Sequence, residues 1–168
     1  RRFGLHTMLI SNERNHAYLV ETARILLGLA EEIGAALGIR FEFVNIGGGL
    51  GINYRPDEPP LDLPAMAGGI TGLFTQFRER CGYQPRLCIE SGRYMTGPHG
   101  VLVTRAINAK DTYRRYVGVD ACMSSLMRPG MYGAYHHIEV PGRQGEATET
   151  VDVVGSLCEN NDKFAVQR

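Results

Sequence analysis

The sequence predicts a parallel α/β region followed by a mostly β region. Three observations carry this. Short β-branched or aromatic runs alternate with longer helical ones in the first hundred residues, three consecutive glycines follow one such run directly, and after Gly100 strand-like runs succeed one another without a strong helix between them.

Taken in order, "FGLHTMLI" (3–10) reads as a strand, and "AYLVETARILLGLAEEIGAAL" (17–37) carries apolar residues at helical spacing with Glu and Arg on the other face. Gly38 stands where a helix-terminating glycine belongs. "RFEFVNI" (40–46) is a second strand. "LPAMAGGITGLFTQFRERC" (63–81) is a weaker helix interrupted by Gly68, Gly69 and Gly72, and "PRLCIE" (85–90) is a third strand. A strand–helix–strand repeat of about 45 residues calls for parallel strands with crossover helices, in a barrel or an open doubly wound sheet. Then "VLVTRAINAK" (101–110), "YRRYVGVDA" (113–121), "YHHIEV" (135–140) and "TVDVVGSLC" (150–158) read as strands that pair antiparallel. "PGRQGEATE" (141–149) is a surface loop, and the boundary is placed near 97–100, giving domains over 1–98 and 99–168.

Charge narrows the partners. With 18 basic and 18 acidic residues the formal charge is zero, which argues against nucleic acid or an anionic membrane and favours small molecules or proteins. No apolar run reaches the roughly 18 residues of a membrane span, so a cytoplasmic location is the expectation. Cys81, Cys88, Cys122 and Cys158 form no CxxC pair and are expected to be reduced thiols. The chain enters a strand-like run within three residues and stops just after another apolar run, which suggests a piece of something longer.

The glycines Gly47, Gly48, Gly49 and Gly51 fall at the carboxyl end of a predicted parallel strand, where α/β folds place ligands. Glycines there let backbone N–H groups approach an anion, a single phosphate being the sharper guess; the alternative is a tight turn that needs positive φ. The pattern is not a GxGxxG fingerprint. "CIESGRY" (88–94) puts Glu90, Gly92 and Arg93 at the end of the neighbouring strand. Arg pairs bidentately with phosphate or carboxylate and Glu can hold a protonated ring nitrogen, the alternative being a local Glu–Arg salt bridge. "MRPGMYGAYHH" (127–137) and "LCENNDKF" (157–164) gather charged, aromatic and thiol groups beside turn residues.

These four motifs, in order and in register, resemble the diaminopimelate decarboxylase family, the pyridoxal-phosphate decarboxylases of the alanine-racemase barrel type. "GGGLGINYRP" is similar to that family's glycine loop, "ESGR" to its EPGR motif, "VGVDACMSSLMRPGMYGAYH" to its segment between barrel and substrate pocket, and "GSLCENNDKFA" to its CExxD motif. The resemblance implies the later part of a parallel (β/α)8, TIM-like barrel followed by an antiparallel β domain, binding pyridoxal 5'-phosphate. It implies decarboxylation of a small amino acid, meso-2,6-diaminopimelate, to L-lysine and CO2 by a homodimer with shared active sites. By the same resemblance Ser11, Gly47, Gly48, Gly49 and Gly92 belong to the cofactor site, Glu90 faces the pyridine nitrogen, and Arg93 lies near phosphate and substrate. Arg128 and Tyr132 then hold a substrate carboxylate or its neighbourhood, Glu159 reads the distal amino group, and Cys158, reaching across the dimer, is the proton donor. A small core hydrophobe is the alternative account of Cys158.

Two departures matter. "MLIS" (8–11) stands where the family usually writes HIGS, so Met8 replaces the ring-stacking histidine, with His6 expected to be a buried, satisfied residue; Ser91 replaces a proline. The cofactor-anchoring lysine is missing as well. Only Lys110 and Lys163 are present, neither at the end of an early barrel strand, so the chain alone is expected to be inert. The alternatives are a related decarboxylase of arginine, ornithine or a carboxylated polyamine, a non-catalytic pyridoxal-phosphate or phosphate-binding paralogue, and a flavodoxin-like sheet with an appended β module.

Overall fold

The computed structural model describes residues 2–168 and divides into two compact units, the chain up to Asn53 with Pro59–Gly100, and Tyr54–Glu58 with Val101–Arg168. In the first unit β1 (Gly4–His6), β2 (Phe43–Asn45) and β3 (Arg86–Cys88) form a parallel sheet in that order, with Leu5, Val44 and Leu87 in register. Helix α1 (His16–Leu37) connects β1 to β2 and α2 (Leu63–Cys81) connects β2 to β3. Each helix starts on a side-chain cap: Asn15 Oδ1 accepts from Ala17 N and Asp62 Oδ1 from Ala65 N. Each ends on a left-handed glycine, Gly38 and Gly82. Leu19, Ala23, Leu26, Leu27 and Ala30 of α1 and Met66, Ile70, Phe74 and Phe77 of α2 close over Val44 and Ile46, which makes the apolar stripes of both helices the core of this unit. Gly69 lets α2 approach α1, since a Cβ there would meet Val20 Cγ2 at 2.7 Å. A five-residue helix α3 (Gly92–Thr96) and a 3₁₀ turn over Gly97–His99 follow β3.

The second unit holds β4 (Ala106–Asp111), β5 (Arg115–Val119), α4 (Arg128–Tyr132), β6 (Asp152–Val154) and β7 (Lys163–Ala165), with sheet order β4-β5-β6-β7. The expectation of a purely antiparallel sheet is corrected: β4–β5 and β6–β7 run antiparallel, but β5–β6 pair parallel, because the long stretch between them brings the chain back in the same direction. The expected strand over 135–140 is also absent. That segment makes no ladder; its alternate side chains bond one another, Tyr135 Oη to His137 Nδ1 and His137 Nε2 to Glu139 Oε1, both at 3.0 Å, and Arg168 Nη1 donates to His136 O at 2.6 Å. Its core is small, with Val119, Phe164 and Ala165 buried beside two buried carboxylates, Asp152 and Asp162. Among the described residues no helix is long and apolar enough to cross a membrane, and the four cysteines are free thiols.

Candidate functional site

The glycine run is squeezed between two neighbouring chain segments. Gly47 (φ +73°) and Gly49 (φ +90°) adopt the left-handed conformation, and a Cβ on Gly47 would overlap the carbonyl oxygen of Thr7. A Cβ on Gly48 would meet Glu90 O at 2.5 Å, and one on Gly49 would meet Ile10 O at 2.5 Å. The loop therefore threads between the extension of β1 and the end of β3, and close backbone approach already demands glycine before any ligand is considered. Asn12 fastens this strand end to the loop, donating to Ile52 O at 3.3 Å and accepting from Ile52 N at 3.0 Å.

Beside this crossing lies a cleft of about 250 Å³. Of the expected cofactor residues it brings together Ser11, Gly49, Glu90, Gly92 and Arg93. Gly47 and Gly48 are buried behind the rim, where their N–H groups already donate to Asn45 Oδ1 (2.9 Å) and Met8 Sδ (3.2 Å). Met8, expected from the resemblance to stand in place of a stacking histidine, lines the cleft too. Glu90 Oε1 accepts from Asn45 Nδ2 at 2.7 Å and lies 3.5 Å from His6 Nε2, so among the described residues its side chain is met by Asn45 and His6 and not by Arg93. His6 is exposed, contrary to the buried role expected of it, because β1 ends there and its side chain turns to the carboxylate across β2. Asn45 is the residue that sequence reasoning missed. It ties the glycine loop to Glu90 with both ends of its amide, and the available signal was a polar side chain closing an otherwise apolar strand.

One buried polar atom in this unit lacks a partner among the described residues: Ser91 Oγ, on the cleft wall between Glu90 and Gly92. The set as a whole, a carboxylate held in place, an arginine, two serine hydroxyls and glycine backbone, suits a protonated ring that also carries an anion.

In the second unit α4 presents Arg128 and Tyr132, and the turn between β6 and β7 presents Cys158 and Glu159, all exposed except the half-buried Arg128. Gly130 lets α4 lie directly on this turn, since a Cβ there would overlap Asn161 O. Asp162 organises the turn from within. Its carboxylate accepts from Met123 N (2.6 Å) and Leu157 N (2.7 Å), pinning the residue next to Cys158. Both lysines, Lys110 on β4 and Lys163 on β7, are in this unit.

The family described as pyridoxal-dependent decarboxylase, C-terminal sheet domain, matches residues 16–168. The chain is 46% identical over 168 residues to Protein TabA of Pseudomonas amygdali pv. tabaci and 41% identical over 167 residues to a diaminopimelate decarboxylase of Methanothermobacter thermautotrophicus. These alignments cover 100% and 98% of this chain but only 40% and 39% of the relatives, so the chain spans about two fifths of their length. The crystal structure of M. jannaschii diaminopimelate decarboxylase in complex with L-lysine superposes with a TM-score of 0.84 at 32% identity, over 99% of this chain and 38% of that one. The family's cofactor fits what the cleft offers, with Glu90 for a ring nitrogen and Arg93, Ser11 and the orphaned Ser91 hydroxyl for a phosphate. Because the matched residues take in the glycine loop, α4 and β7 alike, the chain belongs to the pyridoxal-dependent decarboxylases and carries their C-terminal sheet domain.

Proposed function

We propose that this chain is part of a pyridoxal-phosphate-dependent decarboxylase that converts meso-2,6-diaminopimelate to L-lysine and CO2, a cytoplasmic homodimer with shared active sites. On this reading residues 1–98 are the later strands of a (β/α)8 barrel, 99–168 are most of the β domain, and the anchoring lysine belongs to sequence outside this chain. The observation that carries it is the convergence of Ser11, Gly49, Glu90, Gly92 and Arg93 on one cleft. Bound there, pyridoxal phosphate supplies an electron sink for the carbon that loses CO2. Glu90, oriented by Asn45 and His6, holds the proton on the ring nitrogen. Ser11, Arg93, Gly49 and Gly92 hold the phosphate end, while Gly47 and Gly48, whose N–H groups are already engaged, shape the loop behind it. Arg128 and Tyr132 take the carboxylate that the substrate keeps, Glu159 takes its distal ammonium, and Cys158 returns a proton to the carbon that lost CO2.

The test is CO2 release by the intact gene product from meso-diaminopimelate, L-ornithine, L-arginine and a carboxylated polyamine. Lysine formation at a kcat/KM well above the other three supports the reading, with Glu90→Gln lowering kcat by about 10²-fold or more. Preference for one of the other amines reassigns the substrate. Met8, which fills the place of a stacking histidine, favours a second reading: a non-catalytic relative that binds the cofactor and releases CO2 from none of the four.

A further inference from the structure

In the second unit Arg128 sits in a guanidinium and aromatic cluster whose other members, Tyr54 and His136, have no role in the reading above. Arg128 Nη1 donates to His136 Nε2 at 3.2 Å, and the same guanidinium lies 4.9 Å from the ring centroid of Tyr54. Tyr54 and His136 meet edge-on, their centroids 5.0 Å apart at 75°, so the three side chains touch pairwise. Arginine has no acceptor, so His136 Nε2 accepts and its ring proton is on Nδ1. The two partners are themselves held. Arg168 Nη1 donates to the carbonyl oxygen of His136 at 2.6 Å, and Arg55 and Arg168 lie 3.9 and 4.0 Å from the ring centroid of the adjoining Tyr135. On the other side, the N–H groups of Tyr54 and Arg55 both donate to Glu58 Oε2, at 3.1 and 3.3 Å.

We propose that Tyr54 and His136 are positioning residues that hold the Arg128 guanidinium in one orientation, and that they thereby set the preference for substrates carrying a carboxylate away from the reacting carbon. The inference rests on the reading of Arg128 as the ligand of that carboxylate. A free arginine side chain samples many rotamers and loses that freedom on binding; one already stacked and hydrogen-bonded has lost much of it beforehand. With one N–H given to His136 and one face covered by Tyr54, a carboxylate meets the remaining edge of the fork, where two parallel hydrogen bonds can form.

The experiment uses the full-length holoenzyme, with meso-diaminopimelate as substrate and two competitive inhibitors: L-lysine, which keeps the carboxylate, and cadaverine, which lacks it. Tyr54→Leu and His136→Phe are expected to raise KM and the inhibition constant of lysine about tenfold, leaving kcat within about threefold and cadaverine inhibition unchanged. His136→Phe keeps the ring and its edge contact, so the acceptor is tested even where Tyr54→Leu disturbs packing. Tyr54→Phe, which retains the ring face, and His136→Gln, which restores an acceptor, are expected to behave as wild type. Unchanged lysine inhibition in His136→Phe, or equal weakening of lysine and cadaverine, overturns the inference while Arg128→Ala still weakens lysine selectively. Arg128→Ala with no effect on lysine instead overturns the carboxylate role of Arg128 itself, and the inference with it.

Discussion

Thr7 leaves no room for a methyl group on Gly47, whose φ of +73° is costly for any other residue. Gly47→Ala is therefore expected to destabilise the intact protein by about 1–3 kcal/mol in urea denaturation. The internal control is Gly68, exposed within α2 with nothing within 4 Å of an added Cβ. There alanine is expected to stabilise by about 0.5–1 kcal/mol, and equal effects at the two glycines would remove the crowding argument. The sequence announced that side chains were forbidden in this run but not why, since the obstructing carbonyls of Thr7 and Ile10 lie about 40 residues away along the chain. Asp162 was equally opaque, a carboxylate within a polar turn that proves to be buried and doubly bonded. Asp162→Ala leaves the N–H groups of Met123 and Leu157 without their acceptor, and a loss of about 3 kcal/mol is expected. A change below about 0.5 kcal/mol would show that the turn holds without it.

Helices were legible and strands only approximately so. α1 and α2 lie within a residue of the periodic runs because 22 and 19 residues give a helical stripe room to declare itself. The expected strand over 3–10 shrinks to Gly4–His6, since beyond it the chain packs against the glycine loop instead of pairing as a ladder. β7 and α4 went unforeseen, one being three residues long and the other containing both Pro129 and Gly130. At the entry to β4, Asp120 Oδ1 accepts from Arg105 N (2.9 Å) and Thr104 Oγ1 (2.6 Å), and these bonds hold its carboxyl below the usual value of 3.8. A carboxyl with a lowered folded value contributes stability that is complete above its unfolded value and is lost as pH falls through the folded one. Denaturation between pH 6 and 2.5 is thus expected to show a smaller acid loss in Asp120→Asn than in wild type; parallel pH profiles would deny Asp120 this part.

At the scale of the whole molecule, the residues proposed for cofactor and substrate are divided between two units of one chain, and the proposed dimer would divide them again between two chains. That arrangement has a consequence a monomeric site lacks. If Arg93 of one subunit works with Cys158 of its partner, a dimer that pairs an Arg93→Ala chain with a Cys158→Ala chain contains one site with both residues intact and one with neither. Random exchange of two full-length inactive variants makes half of the dimers mixed, each with one good site of two, so activity is expected to return to about a quarter of wild type. Each variant alone should stay inactive, and the recovered activity should saturate with time as subunits exchange. Were both residues drawn from the same chain, every site in every dimer would carry one lesion and mixing would restore nothing. The recovery also reads the exposed position of Cys158 directly, because a thiol that stands open in the turn between β6 and β7 of one chain is available to a neighbour only if that neighbour's site lies against it.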